Sequence, residues 1–147
     1  QDSYEYLGLA YCELEQYEEG IDRFLKAIEK NPSDILLLTI AQTYYKMHDM
    51  DAAKEYLIRT IHETEDVSIE EKSRFLLGQI YFDEGALLQA EEQYQKVLEK
   101  NPQAADAHFI LGNIYEKRDN TIKARAEWRK ALQIDASHYG ARLKYYD

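Results

Sequence analysis

Cysteine is almost missing from this chain of 147 residues. The lone Cys12 has no second thiol to bridge to, which excludes a disulfide scaffold but leaves the compartment open, since many exported proteins also lack bridges. Proline and glycine are sparse, at two and six residues, and with 45% apolar residues the chain fits one compact domain or one repeat array. Basic residues are outnumbered, 18 against 28 acidic ones. The resulting net charge of -10 opposes a phosphate backbone, because Lys and Arg supply most of the sequence-independent affinity for nucleic acid. Nucleic acid is therefore not an expected partner. Long apolar runs are missing too: the longest uncharged stretch, Ile35 to Tyr45, has 11 residues, whereas a bilayer-crossing helix needs about 20. No membrane insertion is expected. The start, Gln1-Asp2-Ser3-Tyr4, has neither the basic segment nor the apolar run of a signal peptide. With no initiating Met, the chain is expected to be processed or cut from something longer.

What the chain does have is a period. Glu29-Lys30-Asn31-Pro32 recurs as Glu99-Lys100-Asn101-Pro102, and Leu-Gly recurs at Leu7-Gly8, Leu77-Gly78 and Leu111-Gly112, with Ile40-Ala41 between. Counted from the small residue, the steps are 33, 37 and 34. Four more columns keep those steps: Tyr11, Tyr44, Tyr81, Tyr115; Gly20, Ala53, Ala90, Ala124; Phe24, Leu57, Tyr94, Trp128; and Ala27, Thr60, Val97, Ala131. A repeat of this length signals an array of supersecondary units.

Each repeat reads as two helices. Tyr4, Leu7, Gly8 and Tyr11 share one stripe and Ile21, Phe24, Ala27 and Ile28 another, both at i, i+3, i+4, i+7 spacing. Glu15-Gln16, His48-Asp49, Glu84-Gly85 and Asp119-Asn120 fall between stripes as short turns. Asn31-Pro32 and Asn101-Pro102 end second helices, since proline lacks the amide donor and disfavours helical geometry in the residue before it. Asp2 to Glu5 and Ser68 to Glu71 have the spacing of capping boxes. The second repeat has Glu65 at the proline slot, so its last helix is expected to run on toward Val67, where the three extra residues of the 37-step would sit.

With Tyr4-x-x-Leu7-Gly8-x-x-Tyr11, a small residue at 20, an aromatic at 24, Ala27 and Pro32, the repeat resembles the tetratricopeptide repeat. The resemblance covers repeats at 1–33, 34–67, 71–104 and 105–138, with a partial fifth or capping helix at 139–147. Departures are Glu65 and Ala136 at proline slots, Gly20 and Thr60 for alanine, and Leu37, Arg74 and His108 at the bulky slot of Tyr4. A shorter or charged group at that last slot should make the contact between adjacent repeats less apolar. The implied fold is all-α, a right-handed superhelical solenoid of antiparallel helix pairs with a concave face. Gly8, Ala41, Gly78 and Gly112 would let two helices approach closely. Tyr146 stands at that small slot in the fifth helix, which suits either a capping helix or a longer array cut short.

Function must come from residues that packing does not consume. The resemblance places the groove on first-helix slots that hold Leu38, Gln42 and Tyr45 in the second repeat, Phe75, Gln79 and Phe82 in the third, and Phe109 and Asn113 in the fourth. In this reading Gln42, Gln79 and Asn113 hydrogen-bond an extended backbone, while Leu38, Tyr45, Phe75, Phe82 and Phe109 form pockets for apolar anchors. The alternative is that these side chains pack between first helices and are mostly covered. Related modules clamp the C-terminal carboxylate of heat-shock chaperones with Lys, Arg and Asn. The corresponding slots here hold Glu5, Leu9, Thr39, Lys72 and Leu76, or one repeat on Leu38, Gln42, Leu76, Asp106 and Ile110, and neither set makes the clamp.

Catalytic chemistry finds little support. His48, His62, His108 and His138 never fall at paired metal-ligand spacing, and the glycines are isolated instead of forming a phosphate loop. Glu18-Glu19 and Glu91-Glu92 diverge on a helix, Trp128 belongs to a core column, and Cys12 has no local activating partner. No catalytic residue, metal or cofactor is expected. Charge, however, is graded. Residues 1–33 hold eight acids and three bases (-5), 34–67 seven and three (-4), 68–104 seven and four (-3), and 105–147 six and eight (+2). The expected function is a noncatalytic module binding a protein or peptide partner in its groove. The alternative is a scaffold that self-associates head to tail through oppositely charged ends.

Overall fold

The structure, a computed structural model, describes residues 3–147, and among them the only regular element is the helix. In chain order these are α1 (Ser3–Glu13), α2 (Tyr17–Lys30), α3 (Asp34–Lys46), α4 (Met50–Glu63), α5 (Val67–Asp83), α6 (Leu87–Lys100), α7 (Ala105–Lys117), α8 (Thr121–Ile134) and α9 (Tyr139–Tyr146). The chain divides within α5 into two compact units, one reaching Ser73 and the other running from Arg74 to Asp147. None of the helices is long and apolar enough to cross a membrane.

The four turns inside the hairpins share one geometry. In each, a residue with positive φ follows the first helix: Glu15, His48, Gly85 and Asp119. In the third hairpin the Gly85 N–H donates to the Phe82 carbonyl and the Ala86 N–H to the Tyr81 carbonyl. The same pair of bonds recurs at Glu15 and Gln16, at His48 and Asp49, and at Asp119 and Asn120. This is the Schellman motif, which satisfies carbonyls that the helix end would otherwise leave without donors. The chain then enters the second helix directly, with Asp49 and Asn120 accepting the N–H groups of Ala52 and Lys123.

The helix ends before proline lie where the sequence places them: α2 stops at Lys30 and α6 at Lys100, each followed by an extended or near-extended Asn. The second repeat differs from expectation. Its α4 ends at Glu63, and Thr64 is extended with its hydroxyl donating to Asp34 Oδ2 at 2.6 Å. Asp66 Oδ1 then accepts from the N–H groups of Ser68 and Ile69, so α5 is capped two residues before the Ser68 to Glu71 box. The extra residues of the 37-step thus lengthen the start of α5, a helix of 17 residues, and not the end of α4. Asp2 of the other capping box lies outside the described residues.

In the first unit the core gathers Phe24, Ala27, Leu36 and Ile40, and in the second Tyr94, Val97, Ala107, Leu111, Ile114 and Trp128. Each glycine of the packing column lies beneath an aromatic ring from the second helix. A methyl added at Gly8 would meet Phe24, at Gly78 Tyr94, and at Gly112 Trp128. The second repeat has Ala41 with Leu57, both fully buried, so the larger slot residue accompanies the smaller partner. Gly20 has its own reason: a Cβ there would stand 2.6 Å from Cys12 Sγ. The polar residues at the Tyr4 slot bond within their own hairpins. Arg74 Nη1 donates to Gln93 Oε1 at 2.8 Å, and His108 Nδ1 lies 2.7 Å from Glu127 Oε1.

Candidate interaction surface

The candidate residues fall in both units. In the first, α3 carries three of them. Leu38 is 4% exposed and so offers no open anchor, which corrects its expected part in a pocket. Gln42 is exposed and Tyr45 half-buried. Cys12 and Thr43 lie near this row. Burial pushes the Cys12 thiol up, against the opposing effects of the Thr43 hydrogen bond and the Lys46 charge. A thiol kept protonated is a poor nucleophile, so Cys12 acts as packing.

In the second unit, Phe75, Gln79 and Phe82 are half-buried on α5, and Phe109 and Asn113 half-buried on α7. The Phe75 ring meets the Tyr94 ring edge-on, with centroids 5.4 Å apart, and its carbonyl accepts from the Tyr94 hydroxyl at 3.0 Å. Lys117 Nζ sits 5.9 Å from the centre of the Phe82 ring. The amides are partly spoken for. Gln79 Nε2 donates to Asp83 Oδ1 at 2.9 Å, which leaves the carbonyl oxygen to accept, and Asn113 Oδ1 accepts from Trp128 Nε1 at 3.2 Å. Asn113 therefore serves the core as well as the row.

Phe109 is covered by something sequence reasoning did not place. A Cβ on Gly140 of α9 would stand 2.7 Å from the Phe109 ring, and the His138 ring lies 5.0 Å from it. The last helix thus rests on the expected anchor. Gly140 was the signal for this, being the one glycine outside the turns and the aligned columns. His138 holds the helix in place: Nδ1 accepts the Ala141 N–H at 3.1 Å and Nε2 lies 2.6 Å from Asp106 Oδ1. Lys144 bonds Glu116 at 2.7 Å, and Arg125 donates to the Tyr145 carbonyl while lying over its ring.

A second polar network lay equally outside the sequence argument. Glu91 on α6 accepts from Tyr115, Arg118 and Gln95, lining with Leu88, Asn120 and Lys123 a hollow of about 360 Å³. Burial, then the Glu91 hydrogen bond and charge, push the Tyr115 phenol up to about 12. Three donors hold the carboxylate, two of them from α7 and the turn after it, so this cluster reads as a brace between α6 and α7. Among the described residues no three His, Cys, Asp or Glu side chains gather as a metal site would require.

Comparison with known proteins agrees with this architecture. The family model of the tetratricopeptide repeat protein 21 C-terminal ARM domain matches residues 3–145, and the chain belongs to that family. Anaphase-promoting complex subunit 3 of Schizosaccharomyces pombe is 24% identical over 135 residues, covering 92% of this chain and 20% of the relative. Superkiller protein 3 of the same yeast is 25% identical over 145 residues, covering 91% of this chain and 10% of its own. The chain thus spans a fifth or less of these relatives. Among solved structures, YrrB, described as a TPR protein with an unusual peptide-binding site, is 28% identical, with a TM-score of 0.81 over 98% of this chain and 73% of its own. MamA, at 21% identity, has a TM-score of 0.81 over 95% of this chain and 80% of its own, which speaks to fold alone. The fold is the all-helical tetratricopeptide-type array of helix pairs, and its class is the protein-interaction scaffold.

Proposed function

We propose that the chain is a noncatalytic docking module in repeats 1–33, 34–67, 71–104 and 105–138, followed by the helix at 139–147. A partner segment binds on the first-helix face, unit by unit. In the second unit Phe75 and Phe82 supply apolar contact, and the Gln79 carbonyl oxygen accepts a backbone N–H. In the first unit Gln42 and Tyr45 do the same work and Leu38 lies behind the surface; in the second, Phe109 is half-covered by α9 and Asn113 orients Trp128. The supporting observation is that Phe75, Gln79 and Phe82, on one helix face, remain only half-buried after packing is complete. YrrB, with its peptide-binding site, is a relative that makes an extended ligand the natural probe.

The test is a random peptide library panned on the wild-type chain, followed by calorimetry of the enriched peptides. Phe82→Ala and Gln79→Ala should each weaken them by more than about 1 kcal/mol, roughly fivefold, with helicity retained. Affinity unchanged in both variants removes the groove reading. A second reading, head-to-tail self-association through the ends, is favoured by the charge gradient from -5 in residues 1–33 to +2 in residues 105–147.

A further inference from the structure

The second residue of each second helix forms a column of its own. It is Glu18 on α2 and Asp51 on α4, acids that suit the positive end of a helix dipole. On α6 and α8 the column turns aliphatic, yet the side chains stay in water: Leu88 is 66% exposed and Ile122 85%. Packing does not consume them. Two neighbouring slots change as well. The residue after this column is Glu19, Ala52 and Gln89 in the first three repeats but Lys123 in the fourth, and the slot of Leu14, Met47 and Glu84 becomes Arg118. The repeat pattern accounts for neither cation.

Leu88, Arg118 and Lys123 meet at the hollow of about 360 Å³ beside the Glu91 brace. Glu91, the one carboxylate in its lining, is already held by Tyr115, Arg118 and Gln95. The Lys123 ammonium lies 5.5 Å from the centre of the Tyr115 ring and has no carboxylate against it among the described residues. The Arg118 side chain bonds through Nη1 alone, so its other N–H groups remain to donate. The acids nearby do not cancel these cations: Asp119 and Glu92 do not line the hollow, and Glu127, one turn beyond Lys123, is engaged by His108 and Lys130. The lining thus holds two cations and one compensated carboxylate.

We propose that this hollow receives an acidic side chain of a partner protein, whose apolar neighbours cover Leu88 and Ile122. The incoming carboxylate sits between the Lys123 ammonium and the Arg118 guanidinium, whose free N–H groups can fork to it. An exposed ion pair binds weakly by itself, so recognition needs the acid and its apolar flanks together. The net charge of -10 repels an anionic bilayer, which leaves an acidic, apolar-flanked peptide segment as the occupant. None of these side chains belongs to the first-helix row, so this is a second surface with its own partner chemistry.

Amide chemical shifts of the isotope-labelled chain, titrated with an octapeptide of alternating aspartate and leucine, test this. The shifts should move at Leu88, Arg118, Asn120, Ile122 and Lys123, and fade above about 0.15 M salt, where screening shortens to about 8 Å. Peptides of alternating lysine and leucine, or aspartate and serine, should each bind about fivefold more weakly or worse. Leu88→Ser should weaken the aspartate–leucine peptide about two- to fivefold. Lys123→Glu, an acid that the first turn of α8 accommodates, should turn the preference toward the lysine peptide. Absence of shifts at these amides with millimolar aspartate–leucine peptide overturns the site, as do shifts confined to Phe75, Gln79 and Phe82, which place that peptide on the first-helix face. Equal binding of the lysine and aspartate peptides overturns the charge pairing. Shifts at these amides with phosphatidylserine vesicles and none with the peptide overturn the peptide assignment in favour of a lipid surface.

Discussion

The Tyr94 ring lies directly on Gly78, so close that a Cβ there would come within 2.6 Å of a ring carbon. Tyr94 is fully buried and its hydroxyl is tied to the Phe75 carbonyl, so the ring has nowhere to go. Gly78→Ala should therefore cost about 1–3 kcal/mol, the range for overpacking a filled core. Gly112→Ala should do the same against Trp128. A double change to the pairing of the second repeat, Gly78→Ala with Tyr94→Leu, should recover part of the loss, since Ala41 and Leu57 coexist fully buried there. Urea unfolding of these three variants and of Tyr94→Leu alone measures the coupling, and equal losses in the single and double Gly78 variants would show that ring contact is not the cause.

The turns give a second prediction. Four Schellman turns need a left-handed residue, and only one has glycine. A side chain in that conformation costs about 1–2 kcal/mol, against about 0.5–1 kcal/mol for the greater unfolded-state freedom of glycine. Glu15→Gly and His48→Gly should therefore stabilise the chain by roughly 0.5 kcal/mol each. Asp119→Gly should gain less, because Asp tolerates this region better, and Gly85→Glu should lose stability. Denaturant midpoints at constant slope would show the order, and a gain at Asp119 exceeding that at Glu15 would contradict it.

Much of the fold could be read from aligned columns. The small slots, the aromatic slots and the Asn-Pro ends each have a local physical cause, and each lies where its column puts it. The start of α5 could not be read the same way. Ser68 and Asp66 both carry capping oxygens, and the choice depends on Thr64 being drawn to Asp34, a residue 30 positions earlier. The interaction row was legible as a set of slots but not as a set of roles. Whether an amide in the row is free depends on the neighbour that the fold delivers: Asp83 for Gln79 and the Trp128 indole for Asn113. Phe109 looked like an anchor because nothing in the repeat pattern announces that Gly140 will settle on it.

Alkaline pH should unfold the chain through buried phenols. Tyr115 titrates at about 12 in the folded state and near its ordinary value of 10 when unfolded. Burial raises Tyr94 as well. Both are neutral on both sides of the unfolding equilibrium below pH 10, so their contribution is fully present there. Above 10 the unfolded phenols ionise first, and stability falls as the pH rises through the folded value of about 12. Tyr115→Phe should lose the Glu91 hydrogen bond at neutral pH yet soften the alkaline fall, with the remaining slope owed mainly to Tyr94. Denaturation midpoints from pH 9 to 12 alongside phenolate absorbance would show this, and an unchanged alkaline slope would remove Tyr115 from the account.

His138 should govern the docking of α9. Its Nδ1 accepts the Ala141 N–H as the helix cap, its Nε2 meets Asp106, and its ring flanks Phe109. Losing a capping side chain typically costs about 1 kcal/mol. In a helix of eight residues, too short to persist alone, that loss falls on the docked state directly. His138→Ala should therefore speed amide exchange across residues 139–146 and raise the solvent exposure of Phe109, with little change in α7 and α8. His138→Asn, whose side-chain oxygen can accept the same N–H, should restore most of the protection although it loses the ring contact. Asp106→Asn separates the two roles: it weakens the Nε2 contact and leaves the cap. If protection of α9 falls as far in Asp106→Asn as in His138→Ala, the helix is held by the carboxylate and not by the cap.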